Sequence, residues 1–231
     1  MLEICSLKLN IHMDNCRLER VLPYLSEDTV ERIRKFRRWE DVIRTVFSHL
    51  LVKYMIQKKT GLDWTHIIIG RTQYGKPYVK HNTGLHFNVS HSGEYAVVAV
   101  SDMPVGIDIE EIKPVDFYAL RNFFTKGEFD TLMLTEPAKR LNYFYELWTL
   151  KESYIKALGK GLDFPLDCFH ITYMRESKYV LKDENSNHWF FKRYEMDKRY
   201  KMSVCSLKDE FPDAIDVLDS EEFMLFTGMP L

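Results

Sequence analysis

Two stretches lying 100 residues apart constrain this chain more than any other feature. From Trp39 to Lys59 apolar residues recur at helical spacing, with Val42, Val46 and Leu50 on one stripe. The pattern stops at Thr60-Gly61-Leu62, ahead of the β-branched run Ile67-Ile68-Ile69. From Ala138 to Leu158 a second long helix is predicted, again followed by glycine and leucine before a strand. Shifting the chain by 100 places Leu50 on Leu150, Tyr54 on Tyr154, Met55 on Ile155, Gly61 on Gly161 and Leu62 on Leu162. The pattern predicts an α+β fold of two similar halves in pseudo-twofold arrangement. Residues 1–103 and 104–207 form the halves, and an acidic tail, 208–231, is expected to wrap the surface.

The intervening segments read as strands and short helices. Leu2 to Ile11 alternates as a strand, and Ser26 with Glu27 and Asp28 marks a helix start. Tyr74-Gly75-Lys76-Pro77 is a turn. Leu85–Ser90, Tyr95–Ser101 and Val105–Ile109 are expected strands, joined by His91-Ser92-Gly93-Glu94 and Asp102-Met103-Pro104. Asp116–Phe124 and Lys126–Leu134 read as short helices. Strands are expected near Phe169–Met174, Tyr179–Lys182, Trp189–Tyr194 and Lys201–Ser206.

A chain of 231 residues with 45% apolar residues and a net charge of -2 can bury a proper core, which excludes a disordered protein. The near balance of 32 basic and 34 acidic residues argues against bulk binding to nucleic acid. It conceals segregation, because residues 29–59 hold nine Lys and Arg against three acids, whereas residues 208–231 hold one against seven. Arg32, Arg34, Lys35, Arg37, Arg38 and Arg44 make that basic region a solvated face, a nucleic-acid patch or a grip for a short polyphosphate. The cysteines Cys5, Cys16, Cys168 and Cys205 have neither zinc spacing nor the density of a disulfide framework. Glu3, Lys8 and Asp14 interrupt what a signal peptide would need as an apolar run, and no membrane-spanning stretch occurs. A cytoplasmic protein with no membrane or nucleic-acid partner is expected.

Several constellations carry chemistry. In Val105-Gly106-Ile107-Asp108-Ile109-Glu110 the strand period of two puts Val105, Ile107 and Ile109 on one face and Gly106, Asp108 and Glu110 on the other. Two carboxylates on one face suit Mg²⁺, which takes one or two from protein and the rest from phosphate and water. A solvent-facing strand with acids is the alternative. In Trp148-Thr-Leu-Lys-Glu152-Ser-Tyr-Ile-Lys156, Leu147, Leu150, Tyr154, Ile155 and Leu158 form an apolar stripe, while Trp148, Glu152 and Lys156 share a second face. A plain surface ion pair is the alternative for Glu152 and Lys156. Gly70 to Lys76 has P-loop spacing, but Pro77 stands where a hydroxyl must reach the metal. What survives is Lys76 on a tight turn and Pro77 as a flat surface for an adenine. Ser90-His91-Ser92-Gly93 lacks the elbow and orienting acid of a hydrolase, and equally holds a phosphate.

Together, Val105-Gly-Ile-Asp-Ile-Glu110 and Trp148-Thr-Leu-Lys-Glu-Ser-Tyr-Ile-Lys156 resemble the 4′-phosphopantetheinyl transferases of the surfactin type. Tyr74-Gly-Lys-Pro77, Phe87-Asn-Val-Ser-His-Ser-Gly93 and Lys160-Gly-Leu162 stand in the expected order. The resemblance implies that family's fold and an enzyme that moves the phosphopantetheine arm of coenzyme A onto a serine of an acyl or peptidyl carrier protein, releasing 3′,5′-ADP. It implies Asp108, Glu110 and Glu152 as Mg²⁺ ligands, Tyr74, Gly75, Lys76 and Pro77 as adenine and 3′-phosphate contacts, and Ser90, His91 and Ser92 as a phosphate-holding turn. Arg32 and Thr45 become further coenzyme A contacts. Glu152, Lys156 and His91 are the implied catalytic residues, with Glu152 acting on the carrier serine and Lys156 on the leaving phosphate. Where Thr29 stands, surfactin-type members often carry a basic residue. Phe117, Phe123, Phe124 and Phe129 supply carrier-docking or core surface, and carriers of nonribosomal peptide, polyketide or lipopeptide synthesis are the expected targets of a monomeric enzyme. A non-catalytic coenzyme A- or nucleotide-binding module of the same fold is the rival, and it would be expected to lack one of the three acids or Lys156.

Overall fold

The protein was analysed as a computed structural model, which describes residues 1–81, 83–161, 164–183 and 185–227. Its contacts divide it into two compact units. The first comprises Met1–Gly70, Pro77–Asp102 and Pro212–Leu231, and the second Arg71–Lys76 and Met103–Phe211.

In the first unit, strand β1 (Glu3–Lys8) leads through helices α1 (Asn15–Val21) and α2 (Glu27–Ile33) to the 22-residue helix α3 (Trp39–Thr60). Strands β2 (Ile69–Arg71) and β3 (Pro77–Val79) pair as a short ribbon, and β4 (His86–Ser92) and β5 (Tyr95–Ser101) as a hairpin. Ser26 caps α2, accepting from the Thr29 amide, and its hydroxyl lies 2.9 Å from that of Thr29. Thr29 is buried, so its hydroxyl belongs to this cap. Helix α3 lays Val46, Phe47, Leu50 and Leu51 against β4 and β5, burying all four. Gly61, at φ 74°, closes it in the left-handed region, where glycine carries no Cβ penalty. The acidic C-terminal segment departs from the expected surface wrap. Strand β11 (Asp216–Asp219) pairs in parallel with β1, and helix α6 (Ser220–Thr227) buries Phe223 and Met224 in the core of this unit. The sheet order is therefore β11-β1-β5-β4. Apolar positions inside an acid-rich stretch, not its charge, decide its place.

The second unit repeats the plan. Strand β6 (Val105–Glu111) is followed by α4 (Lys126–Leu134), the 22-residue α5 (Pro137–Leu158), and then β7 (Thr172–Arg175), β8 (Lys178–Lys182), β9 (His188–Tyr194) and β10 (Tyr200–Ser206). The sheet runs β6-β10-β9-β8-β7, and α5 packs on β6 and β10. In both units a strand, a long helix and a hairpin follow one another, and the last hairpin strand pairs antiparallel with the first strand. The helix ends correspond at an offset of 98 residues rather than 100. It is Gly159, at φ 71°, that caps α5, so Gly161 is not the counterpart of Gly61. Leu162 lies outside the described residues.

The segment 116–124 is not a helix. Asp116 Oδ1 accepts from the amides of Tyr118 and Ala119, and only a single 3-10 turn, Arg121–Phe123, follows. A carboxylate that satisfies its own downstream amides offers the backbone an alternative to the helix.

One contact fixes the geometry of this unit. A Cβ built on Gly106 of β6 would stand 1.8 Å from the carbonyl oxygen of Ser153 and 2.6 Å from the amide of Ala157, both backbone atoms of α5. Glycine alone allows the helix this approach. Gly106→Ala is therefore expected to destabilise the protein by about 3 kcal/mol or more, read as a lowered urea midpoint. An unchanged midpoint would show that the helix does not sit this close.

Candidate active site

Because α5 lies on the Gly106 side of β6, the face that carries Asp108 and Glu110 turns toward the helix and away from solvent. That resolves the solvent-facing alternative for Asp108, whose side chain is 2% exposed, while Glu110 is half-buried. The Lys156 ammonium donates to Asp108 Oδ1 at 2.6 Å. Glu152, one turn earlier on α5, has a carboxyl pushed up to about 6 by burial and, second, by the charge of Asp108, with Lys156 opposing. Its Oε1 is buried with no hydrogen-bond partner among the described residues. The surface ion pair considered for Glu152 and Lys156 is replaced by a partly buried set in which Lys156 pairs with Asp108 while Glu152 lies within reach of both their charges.

Lys76 belongs to the same unit. Its Nζ donates to the Ala157 carbonyl at 2.7 Å, near the C-terminal end of α5, and its stem crosses Gly159, where a Cβ would meet Cδ at 2.7 Å. Burial pulls this amine down to about 8. The free carbonyls and partial negative charge of the helix end favour a cation there. Tyr74 is exposed, Gly75 adopts φ 81°, and Pro77 is partly buried at the start of β3.

The remaining expected residues lie in the first unit. Arg32 is exposed in the last turn of α2, and Thr45 is buried on α3. Ser90, His91 and Ser92 are not in a turn. They form the end of β4, with Ser90 buried and His91 exposed, and the connection to β5 is the tight pair Gly93-Glu94. Gly93, at φ 54°, supplies the backbone conformation that a two-residue hairpin needs, so β4 runs two residues beyond the expected Ser90, while β5 keeps its expected bounds. Arg44 of the basic region is tied to this hairpin, donating to the Gly93 carbonyl and to Asp41.

The residues at hand fit a divalent cation. Among the described residues no group of three His, Cys, Asp or Glu side chains is arranged to hold a metal by itself. Mg²⁺ does not require one, since it is usually held by one or two carboxylates together with phosphates. A buried glutamate oxygen without a donor, its carboxyl raised first by burial and then by a neighbouring carboxylate, is the electrostatic setting that a cation relieves.

Three polar contacts, two buried and one partly buried, were not foreseen from the sequence. Lys151, fully buried on α5, bonds to Glu128 at 2.8 Å and to the carbonyls of Leu166 and Phe169. Glu128 also closes a capping box with Thr125, and that Thr-x-x-Glu spacing was the available signal. Thr149 and Ser203 share a hydroxyl hydrogen bond of 2.8 Å, and Glu146 is contacted by Arg193 and Lys201.

A model of the 4′-phosphopantetheinyl transferase superfamily matches residues 104–205, and a model of the 4′-phosphopantetheinyl transferase N-terminal region matches residues 13–103. The chain is 36% identical over 207 residues to the 4′-phosphopantetheinyl transferase Sfp of Bacillus subtilis, covering 89% of this chain and 92% of that one. It is 33% identical over 208 residues to the 4′-phosphopantetheinyl transferase gsp of Aneurinibacillus migulanus, covering 90% and 86%. With the L-aminoadipate-semialdehyde dehydrogenase-phosphopantetheinyl transferase of Mus musculus it shares 30% over 204 residues, covering 78% and 66%.

The raised carboxyl of Glu152 has a consequence for metal-free protein. Its folded value, about 6, lies above its ordinary 4.5, so the folded state holds a proton that the unfolded state has released between those pH values. Stability from this group is full below pH 4.5 and is lost as pH rises to 6, by about 1 to 2 kcal/mol after allowance for partial solvent screening. In EDTA, Glu152→Gln should therefore gain on the wild type across pH 4.5–6 in urea unfolding. A difference between the two proteins that stays flat with pH would contradict this electrostatic picture.

Proposed function

Because the chain belongs to the 4′-phosphopantetheinyl transferase superfamily and is an enzyme that transfers phosphopantetheine to carrier proteins, we propose that it takes the arm from coenzyme A with the Asp108, Glu152 and Lys156 cluster as its reactive centre. The observation that carries the assignment is the Lys156–Asp108 contact beside the partly buried Glu152, whose carboxyl burial holds above its ordinary range.

In the reaction the carrier serine oxygen bonds to the phosphorus bearing the pantetheine arm. The pyrophosphate bond breaks, and 3′,5′-ADP leaves with the electron pair. Asp108, Glu110 and Glu152 would hold Mg²⁺, which when bound supplies neutralisation of the pyrophosphate charge. Glu152 orients the serine hydroxyl and accepts its proton, a task suited to a carboxyl whose proton affinity burial has raised. Lys156 moves from carboxylate to phosphate contact and stabilises charge on the leaving group. His91 acts as a further catalytic contact to the phosphates. Lys76, with Tyr74, Gly75 and Pro77, takes the adenine and 3′-phosphate, and Arg32, Thr45, Ser90 and Ser92 contact other parts of coenzyme A. Residues 1–103 thus act as the coenzyme A-contacting half and residues 104–207 as the metal and carrier half.

Phe124 and Phe129 are core, and Phe117 and Phe123 are half-buried against the same cluster. Tyr118, 70% exposed beside them, is the apolar surface that remains for a carrier. The reading extends to carriers of nonribosomal peptide, polyketide or lipopeptide synthesis and to a cytoplasmic monomer without nucleic-acid partner. The free state of Cys5, Cys16, Cys168 and Cys205 accords with a reducing compartment, and among the described residues no helix is long and apolar enough to cross a membrane.

Mass spectrometry of an apo carrier incubated with the protein, coenzyme A and Mg²⁺ should show the gain of one phosphopantetheine arm, and omission of Mg²⁺ should abolish it. Under saturating Mg²⁺, Glu152→Gln should lower kcat by ~10²–10³-fold. Near-normal turnover would remove Glu152 from proton transfer. Tyr118→Ala should raise the carrier KM several-fold and leave kcat and the coenzyme A KM alone, and an unchanged carrier KM would sink the docking assignment.

A further inference from the structure

Beyond β6 the chain crosses from Ile112 to the Thr125 cap of α4 with a single 3-10 turn, Arg121–Phe123, as its regular structure. This is the stretch that displays Tyr118. Its start is fixed by one side chain of the helix opposite. The Ile112 amide still donates to the Arg199 carbonyl at 2.8 Å, continuing the pairing of β6 with β10. At Lys113 the ladder is over, and Pro114, which has no N–H, cannot prolong it.

There the Tyr145 hydroxyl, on α5, accepts from the Lys113 amide at 3.3 Å and donates to the Lys113 carbonyl at 3.1 Å. A phenol has one proton to give and lone pairs to receive with, and here both capacities are used on the same residue. Tyr145 is 7% exposed and lies edge-on to Phe144 at 5.1 Å, so the ring that carries this hydroxyl is itself held. Between Ile112 and the Asp116 turn no other backbone hydrogen bond ties the stretch down among the described residues. Further along, the contacts are ring on ring, Phe117 with Phe144 at 5.7 Å and Phe123 with Trp148 at 5.4 Å. Aromatic contacts accept a range of offsets, whereas a two-way hydrogen bond fixes the direction in which the chain leaves the sheet.

Resting on the reading that this stretch receives the carrier, we propose that Tyr145 is a positioning residue for the transfer: its hydroxyl clasps the Lys113 peptide and so sets the path on which Tyr118 meets the carrier. Glu110 lies outside its control, because β6 stays paired with β10 through Glu111. Lys113 is exposed, so without the hydroxyl its amide and carbonyl turn to water, and the stretch loosens without unfolding the unit.

The test is Tyr145→Phe, which removes the hydroxyl and keeps the ring, assayed by mass spectrometry of an apo carrier at saturating coenzyme A and Mg²⁺. The carrier KM should rise about three- to tenfold, with kcat and the coenzyme A KM within about twofold of the wild type. A role confined to core packing would lower the thermal midpoint and leave the carrier KM of the folded enzyme alone, and that result would overturn the proposal. Tyr118→Ala, run alongside, tests the docking reading itself. If it raises the carrier KM and Tyr145→Phe does not, the carrier docks without the clasp, and only the present proposal is lost. If neither variant moves the carrier KM, the docking reading fails and the proposal goes with it. In the double variant the two factors should fall short of multiplying, as expected of residues that act through one stretch of chain. Factors that multiply in full, or a rise in Tyr145→Phe alone, would put its effect outside the Tyr118 path and overturn the assignment.

Discussion

The close approach of α5 to β6 at Gly106 is the constraint on which the rest of the second unit depends. With Ser153 O and Ala157 N occupying the space of a Cβ, the residues two and four positions along β6 must face the helix. Asp108 then has nowhere to go but toward α5, and the helix meets it with Lys156 at 2.6 Å. The same closeness partly buries Glu152 within reach of the charges of Asp108 and Lys156. Neither acid would keep its properties on a looser helix. A wider gap would admit water, screen the pair and return Glu152 toward its ordinary range.

Helix α5 is more than a carrier for this cluster, because its other sides are anchored by charge as well. Lys151 is buried against Glu128 and two carbonyls, and Glu146 meets Arg193 and Lys201. The buried Lys151–Glu128 pair adds little net stability but is costly to break singly, by about 3–5 kcal/mol, so it holds the helix in one rotation about its axis. That rotation is what Glu152 and Lys156 need, since each helical residue turned by 100° would carry them away from Asp108. At the end of the helix Lys76 performs a related service, its ammonium on the Ala157 carbonyl and its stem over Gly159.

The sequence made the acids, the two long helices and most strands legible because those features obey local periodicities. Val105 to Glu110 alternates, and Trp148, Glu152 and Lys156 fall at helical spacing. What it could not show is which face of β6 the helix covers. Alternation alone leaves Asp108 equally suited to solvent, and only the packing at Gly106 decides. The helix expected over 116–124 failed for a local reason, the Asp116 carboxylate binding its own downstream amides, and the turn expected at Ser90-His91-Ser92 became strand once Gly93 took a left-handed conformation. The C-terminal segment misled because charge was read ahead of pattern. Phe223 and Met224 are anchors inside an acidic stretch, and non-local pairing with β1 is invisible to any window of sequence.

The two units follow one topology and spend it differently. On β1, the strand that begins the first unit, Cys5 and Leu7 face α3 and join an apolar core with Val98 and Val100 of β5. On β6, which begins the second, the positions facing the helix are Gly106, Asp108 and Glu110. Apolar packing is the stable default for a helix on a sheet. The second unit departs from it where charge is concentrated, and its compensations are visible nearby: a glycine that tightens the contact, a lysine on the aspartate, and a hydroxyl pair, Thr149 with Ser203, directly across from Asp108 in the sheet register. Glu152 is the residue left under-compensated, holding its proton well above the usual carboxylate range. A fold that tolerates such a group in one half while keeping the matching interior of the other half apolar leaves its uncompensated charge in the second unit, which is why the reactive centre is proposed there.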